Sequence, residues 1–91
     1  MRVADQIRRK LTAGLAPARL EVIDESHLHA GHVGARPEGE SHFRVEIVSR
    51  AFQGKSRIDR QRLVYRILAE ELAGGVHALV VKALTPREEG G

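Results

Sequence analysis

The stretch from Asp59 to Leu84 constrains the fold more than any other part of the chain. Leu63, Val64, Ile67, Leu68 and Leu72 recur at helical spacing and make one apolar face, with Arg60, Arg62, Arg66 and Glu70 placed elsewhere on the cylinder. Asp59 reads as the N-cap and Gly74-Gly75 as the stop. Val76 to Leu84 then forms a near-continuous apolar run, valine-containing and preceded by glycines, which reads as a buried strand. A helical crossover leading into such a strand favours a parallel pairing somewhere in the sheet.

The strands it can join lie upstream. Leu20 and Val22 alternate with Arg19 and Glu21, and Phe43, Val45 and Ile47 alternate with Arg44 and Glu46. Before them, Val3, Ala4, Ile7 and Leu11 mark the apolar stripe of a first helix, which Gly14 and Pro17 are expected to stop. After Ser49 comes a connector, Phe52-Gln53-Gly54-Lys55, and a short helix near Ser56. The expected fold class is α+β, with a three-stranded mixed sheet, helices packed on one face and the order α-β-β-α-α-β. Residues 1–86 make one domain and 87–91 a polar C-terminal tail, frayed from Thr85 onward.

Composition excludes several classes. A chain of 91 residues with 42% hydrophobic content supports one modest core. Its only aromatics are Phe43, Phe52 and Tyr65, so that core rests on aliphatic side chains. With no cysteine, the chain has no disulfide, no catalytic thiol and no thiolate ligand of its own, which fits a reducing cytoplasm. No apolar run approaches the ~20 residues of a membrane span. The Arg-rich start (Arg2, Arg8, Arg9, Lys10) is interrupted by Asp5 and lacks a Ser-rich continuation, so it reads as a structural helix and not as a presequence. A net charge of +3 permits nucleic-acid contact without requiring it. No nucleophile–base pairing stands out, and an enzyme is not expected.

Between the first two strands lies a polar stretch, roughly Asp24 to Ser41, far longer than the usual hairpin turn. It carries His27, His29 and His32, while His42 opens the second strand and His77 the third. Imidazole suits Zn, Cu and Fe, so neighbouring histidines can build a site. The same cluster also reads as a solvated loop, and His77, between Val76 and Ala78, as a strand-end histidine. A second feature is the basic set Arg50, Lys55, Arg57, Arg60, Arg62 and Arg66, either a phosphate-binding surface or a solvated helix face balanced by Asp59, Glu70 and Glu71. Two motifs are set aside. Gly31-His32-Val33-Gly34 has the G-x-x-G pattern but lies between strands and does not join two helices. Gly54-Lys55-Ser56 lacks the earlier P-loop glycine, whose place Ser49 takes.

Asp24-Glu25-Ser26 with the histidines that follow, Glu40-Ser41-His42-Phe43-Arg44-Val45, Val48-Ser49 and Phe52-x-Gly54 resemble the BolA family in order and spacing. So do Arg60-x-Arg62-x-Val64-Tyr65, Leu68-Ala69-Glu70-Glu71-Leu72, Val76-His77-Ala78-Leu79 and Thr85-Pro86. The resemblance implies a fold similar to the class II KH domain. It implies an adaptor that pairs with a monothiol glutaredoxin and shares a [2Fe–2S] cluster in iron–sulfur trafficking or iron sensing. Bacterial members are also stress-responsive transcriptional regulators that bind DNA and influence cell morphology.

The family's C-terminal ligand falls on His77. Its second ligand, Cys in some members and His in others, falls on His29, with His32 as rival because this loop carries an extra Gly/Ala/Arg-rich stretch. Histidine ligation of one iron raises a cluster's potential, as in Rieske centres. The other iron would take thiolates from glutaredoxin and its glutathione, so no cluster is expected on the isolated chain. The resemblance thus implies a monomer alone and a heterodimer with its partner. DNA binding would fall to Lys55, Arg57, Arg60, Arg62 and Arg66. One departure is Gln61, where many family members have His; it is expected to alter nucleic-acid or partner contacts more than cluster binding.

Overall fold

The computed structural model describes residues 2–25 and 41–90. Helix α1 (Val3–Leu15) buries Ile7, Leu11 and Leu15, one residue per turn along its inner stripe. It ends one residue later than Gly14. Ala16 takes the left-handed conformation (φ 43°) and donates its N–H to the Thr12 carbonyl at 3.1 Å. Pro17 follows and cannot continue the helix. Gly14 has a different use from the expected stop: a Cβ there would lie 3.0 Å from Ile67 Cδ1, so its bareness lets α1 approach the helix that carries Ile67.

Strands β1 (Arg19–Asp24), β2 (His42–Val48) and β3 (Ala78–Leu84) form one sheet in the order β1-β2-β3. β1 and β2 are antiparallel, from Arg19 opposite Val48 to Asp24 opposite Phe43. β2 and β3 are parallel, from His42 opposite Ala78 to Val48 opposite Leu84. The expected mixed sheet is therefore present. Because side chains alternate along a strand, Val22, Phe43, Val45, Ile47 and Leu79 turn toward one face. There they join Ile7, Leu11, Leu15, Phe52, Val64, Leu68 and Val76 in a single core.

β3 corrects the expected fully buried strand. It begins at Ala78, lies at the sheet edge and alternates, with Leu79 buried and Val80 46% exposed. Only one face is covered by helices, so Ala78 and Val80 meet solvent.

The connection from β2 to β3 differs from expectation in three details. The short helix near Ser56 is instead a 3-10 turn at Arg50–Phe52. Ser49 caps it, accepting from the Ala51 N–H at 3.0 Å and donating to the Leu15 carbonyl at 2.6 Å, which also satisfies the end of α1. Helix α2 (Arg57–Ile67) is capped by Ser56, whose hydroxyl accepts the Asp59 N–H at 3.1 Å. Asp59 sits inside the first turn, where its charge favours the positive end of the helix dipole. The apolar face continues past Leu68, but the helix breaks there (φ −101°, ψ 22°) and resumes as α3 (Ala69–Ala73).

The expected frayed tail is also corrected. Pro86–Gly90 forms a short helix, α4, so the boundary at 86 falls on its first residue. Thr85 and Glu88 cap it reciprocally: Glu88 accepts the Thr85 N–H at 2.8 Å, and the Thr85 hydroxyl accepts the Glu88 N–H at 3.2 Å. Arg60 grips Glu88 through two bonds, 2.6 and 3.2 Å, and Arg19 pairs with Glu89.

The Arg60 guanidinium, helped by the Thr85 N–H, lowers the Glu88 carboxyl from 4.5 to about 2. A depressed carboxyl stabilises the docked helix above its unfolded value, and that contribution is lost as pH falls from 4.5 toward 2. Protection of the Glu89 amide, whose N–H bonds to the Thr85 carbonyl, is expected to fall across that window when its exchange is compared with the intrinsic rate at each pH. In Arg60→Ala, exchange there should already be fast at neutral pH. An unchanged Glu89 rate in Arg60→Ala would contradict the clasp.

Candidate functional site

Parallel pairing brings the starts of β2 and β3 side by side, and each start carries a histidine. His42 heads β2 and His77 immediately precedes β3; their ring centroids are 6.4 Å apart and their planes 38° inclined. Ser41, fully buried, fastens both. Its carbonyl accepts the His77 N–H at 2.7 Å and the Ala78 N–H at 3.3 Å, and its hydroxyl lies 2.9 Å from His42 Nδ1. Below, Val76 and Leu79 anchor the segment in the core, and the Tyr65 hydroxyl donates to the Leu79 carbonyl at 3.1 Å. His77 is thus an exposed side chain on a fixed backbone.

Glu25 ends the described part of the first strand region, and its N–H donates to the His42 carbonyl at 2.8 Å. Glu25 and Ser41, which flank the 26–40 segment, therefore both stand at the same end of the sheet as His77. His27, His29 and His32 lie outside the described residues. Beside His42, Arg44 Nε donates to Glu25 Oε2 at 3.0 Å, an ion pair on the open face of the sheet. Among the described residues, no group of three or more His, Cys, Asp or Glu gathers in a way that could hold a metal. From the sequence both histidines open strands, but nothing local to either brings them together. The signal was available, because two strands that pair in parallel and in register place their first residues next to each other.

The basic set divides. Lys55, Arg57, Arg62 and Arg66 are exposed on and before α2, and Arg50 is exposed on the 3-10 turn. Arg62 approaches Asp59 only at 3.8 Å, in solvent. Arg60, grouped with them from the sequence, is only 12% exposed in its side chain and binds Glu88 and the carbonyls of Lys55 and Ala83. It serves the fold.

Among the described residues, no helix is long and apolar enough to cross a membrane. A family model described as BolA-like protein matches residues 11–88. The chain is 51% identical over 87 residues to SufE-like protein 1, chloroplastic/mitochondrial, of Arabidopsis thaliana, covering 91% of this chain and 24% of that protein. It is 42% identical over 88 residues to the DNA-binding transcriptional regulator BolA of Escherichia coli, covering 97% of this chain and 80% of the relative. The solved structure of BolA1 from Arabidopsis thaliana superposes with a TM-score of 0.86 at 43% identity, over 97% of this chain and 96% of that one. The chain spans a quarter to about half the length of some of these curated relatives. With a family model matching from α1 to α4 and a relative of nearly equal span in both sequence and structure, this protein belongs to the BolA family.

Proposed function

We propose that this chain is a non-catalytic adaptor that binds a monothiol glutaredoxin and co-ligates a [2Fe–2S] cluster through His77 and a loop histidine, His29 or its rival His32. The observation that carries this reading is the placement of His77: exposed, held by the buried Ser41 carbonyl, and at the end of the sheet where both flanks of the histidine-bearing segment meet. Adjacent strands lie about 4.8 Å apart, so Glu25 stands about two spacings from the start of β3. Four further residues span at most about 14 Å, which keeps His29 within chain reach of His77. Imidazole donors suit iron, and a chain without cysteine can supply only that half of the ligand set. The cluster supplies the redox and transfer chemistry; this chain's residues position it and give the complex its partner specificity. The isolated chain is monomeric and the complex a 1:1 heterodimer, placed in the cytoplasm.

The test mixes the purified chain with cluster-loaded glutaredoxin and follows size and visible absorbance by gel filtration. A coloured heterodimer is expected beside a colourless free chain. A cluster carried stably by the lone chain contradicts the shared site.

A second reading, DNA binding, is favoured by the exposed basic residues Lys55, Arg57, Arg62 and Arg66 and by the DNA-binding regulator of Escherichia coli among the relatives. Each lost phosphate contact lowers the salt slope of log K by about 0.9. Arg57→Ala and Arg62→Ala are expected to do so, whereas Arg60→Ala should leave the slope unchanged because its guanidinium is turned to Glu88. Salt-insensitive binding, or none in low salt, removes this reading.

A further inference from the structure

We propose that Ile58 and Gln61 read base edges in the major groove of duplex DNA and select A·T pairs, while Lys55, Arg57, Arg62 and Arg66 grip the phosphates around them. This inference rests on the DNA-binding reading and deepens it, because phosphate contacts position a protein on the duplex but carry no sequence information. The starting observation is Ile58. It is 61% exposed and takes no part in the core, whereas the other large aliphatic side chains of α2, Leu63, Val64 and Ile67, lie in the core or pack against it. From Gln53 to Asp59 every residue is exposed, and beyond the inward-turned Arg60 so are Gln61 and Arg62. The first half of α2 therefore projects together with its lead-in. That is the part of a helix which meets base edges in helix-turn-helix recognition.

The side chains on this projecting half sort into centre and rim. At 3.6 residues per turn, Ile58 and Gln61 are neighbours on the side away from Arg60 and Val64, with Arg57 flanking Gln61 and with Arg62 and Arg66 flanking Ile58. An apolar side chain and an amide thus stand between cations. Asp59 is the one acidic residue of α2 and meets Arg62 only at 3.8 Å, so the face stays positive. A major groove about 12 Å wide admits a helix, and both central side chains have partners there. The Gln61 amide N–H can donate to adenine N7 while its carbonyl accepts from the adenine amino group, and Ile58 can pack on the thymine methyl. Residues three apart rise about 4.5 Å along a helix and base pairs about 3.4 Å along the duplex, so the two side chains reach the same pair or adjacent ones. Docking of α2 into an apolar groove of a partner protein fits less well. It needs anchors at i, i+3 or i+4, and i+7. From Ile58 those positions hold Gln61, Arg62 and Tyr65, and the Tyr65 hydroxyl is donated to the Leu79 carbonyl.

The test selects the purified chain's preferred sequence from a pool of randomised short duplexes in low salt. Affinity for the selected duplex is then measured for the unaltered chain, Ile58→Ala and Gln61→Ala, with folds checked by circular dichroism. The selected sequences are expected to share one A·T pair or two adjacent ones. Replacing the adenine with 7-deazaadenine should weaken the unaltered chain about fivefold or more and leave Gln61→Ala unaffected. Replacing the thymine with uracil, which lacks the methyl, should weaken the unaltered chain about fourfold and leave Ile58→Ala unaffected. All three proteins should keep the same salt slope, since neither side chain touches a phosphate. Salt-dependent binding without sequence preference, or base-analogue losses that persist in both variants, overturns the readout and leaves the DNA-binding reading standing. Displacement of the duplex by polyglutamate as readily as by unlabelled duplex makes this a general polyanion surface and overturns the readout as well. No binding in low salt removes both readings.

Discussion

His77→Ala is expected to abolish the cluster-bound heterocomplex with a monothiol glutaredoxin while leaving the fold intact. The contact that places His77 is made by its backbone, whose N–H bonds to the Ser41 carbonyl, and alanine keeps that bond. The side chain is exposed, so its loss opens no cavity, and substitutions of this kind usually change stability by less than about 0.5 kcal/mol. Loss of a ligand from one iron has no such compensation in a chain without cysteine. His29→Ala should weaken the complex less, with His32 substituting in part, and the double change should approach the loss seen for His77→Ala. Visible spectra and cluster lifetimes of the mixed complexes check this. An unchanged spectrum and lifetime for His77→Ala would make His77 a structural residue.

Phe52→Ala is expected to cost about 3–5 kcal/mol of stability. Phe52 is fully buried, and it stands in the 3-10 turn that links the end of β2 to α2. The core is otherwise almost entirely aliphatic, so neighbouring Leu and Val side chains cannot collapse to fill a ring-sized gap. Domains of this size hold a net stability of about 5–15 kcal/mol, so the variant loses a large fraction of it. Its midpoint should fall by on the order of 20 °C. Urea melts of Phe52→Ala and Phe52→Leu check the cause: the leucine variant should recover much of the loss. Equal losses in both would point to a requirement for the ring itself and not to volume.

The elements most legible in the sequence are those whose burial repeats locally. The α1 stripe of Ile7 and Leu11 and the alternation of Phe43, Val45 and Ile47 each report a single covered face, and the structure covers those faces. What was illegible depends on partners distant in sequence. Pro86–Gly90 is polar and reads as a tail, yet its helix is clasped by Arg60 and Arg19, residues 28 and 70 positions from their partners. The break at Leu68 leaves the apolar spacing undisturbed, so hydrophobic periodicity does not reveal it. Val76 to Leu84 reads as buried on both sides because an edge strand and a central one share the same apolar content; only sheet order separates them. For the site, His77 stood out by position and by family resemblance. Its approach to His42 requires the parallel register, which the crossover implied only in outline. The basic set was legible as charge, but its composition did not tell the exposed Arg57 and Arg62 from Arg60, which faces Glu88.

Co-expression with a monothiol glutaredoxin, followed by visible absorption and circular dichroism of the copurified material, tests the proposed adaptor role most directly. The expected result is a coloured 1:1 heterodimer whose visible dichroism differs from that of the glutaredoxin homodimer, because histidines of this chain replace thiolates on one iron. A colourless chain that elutes apart from glutaredoxin, with the cluster left on the glutaredoxin homodimer, would contradict it.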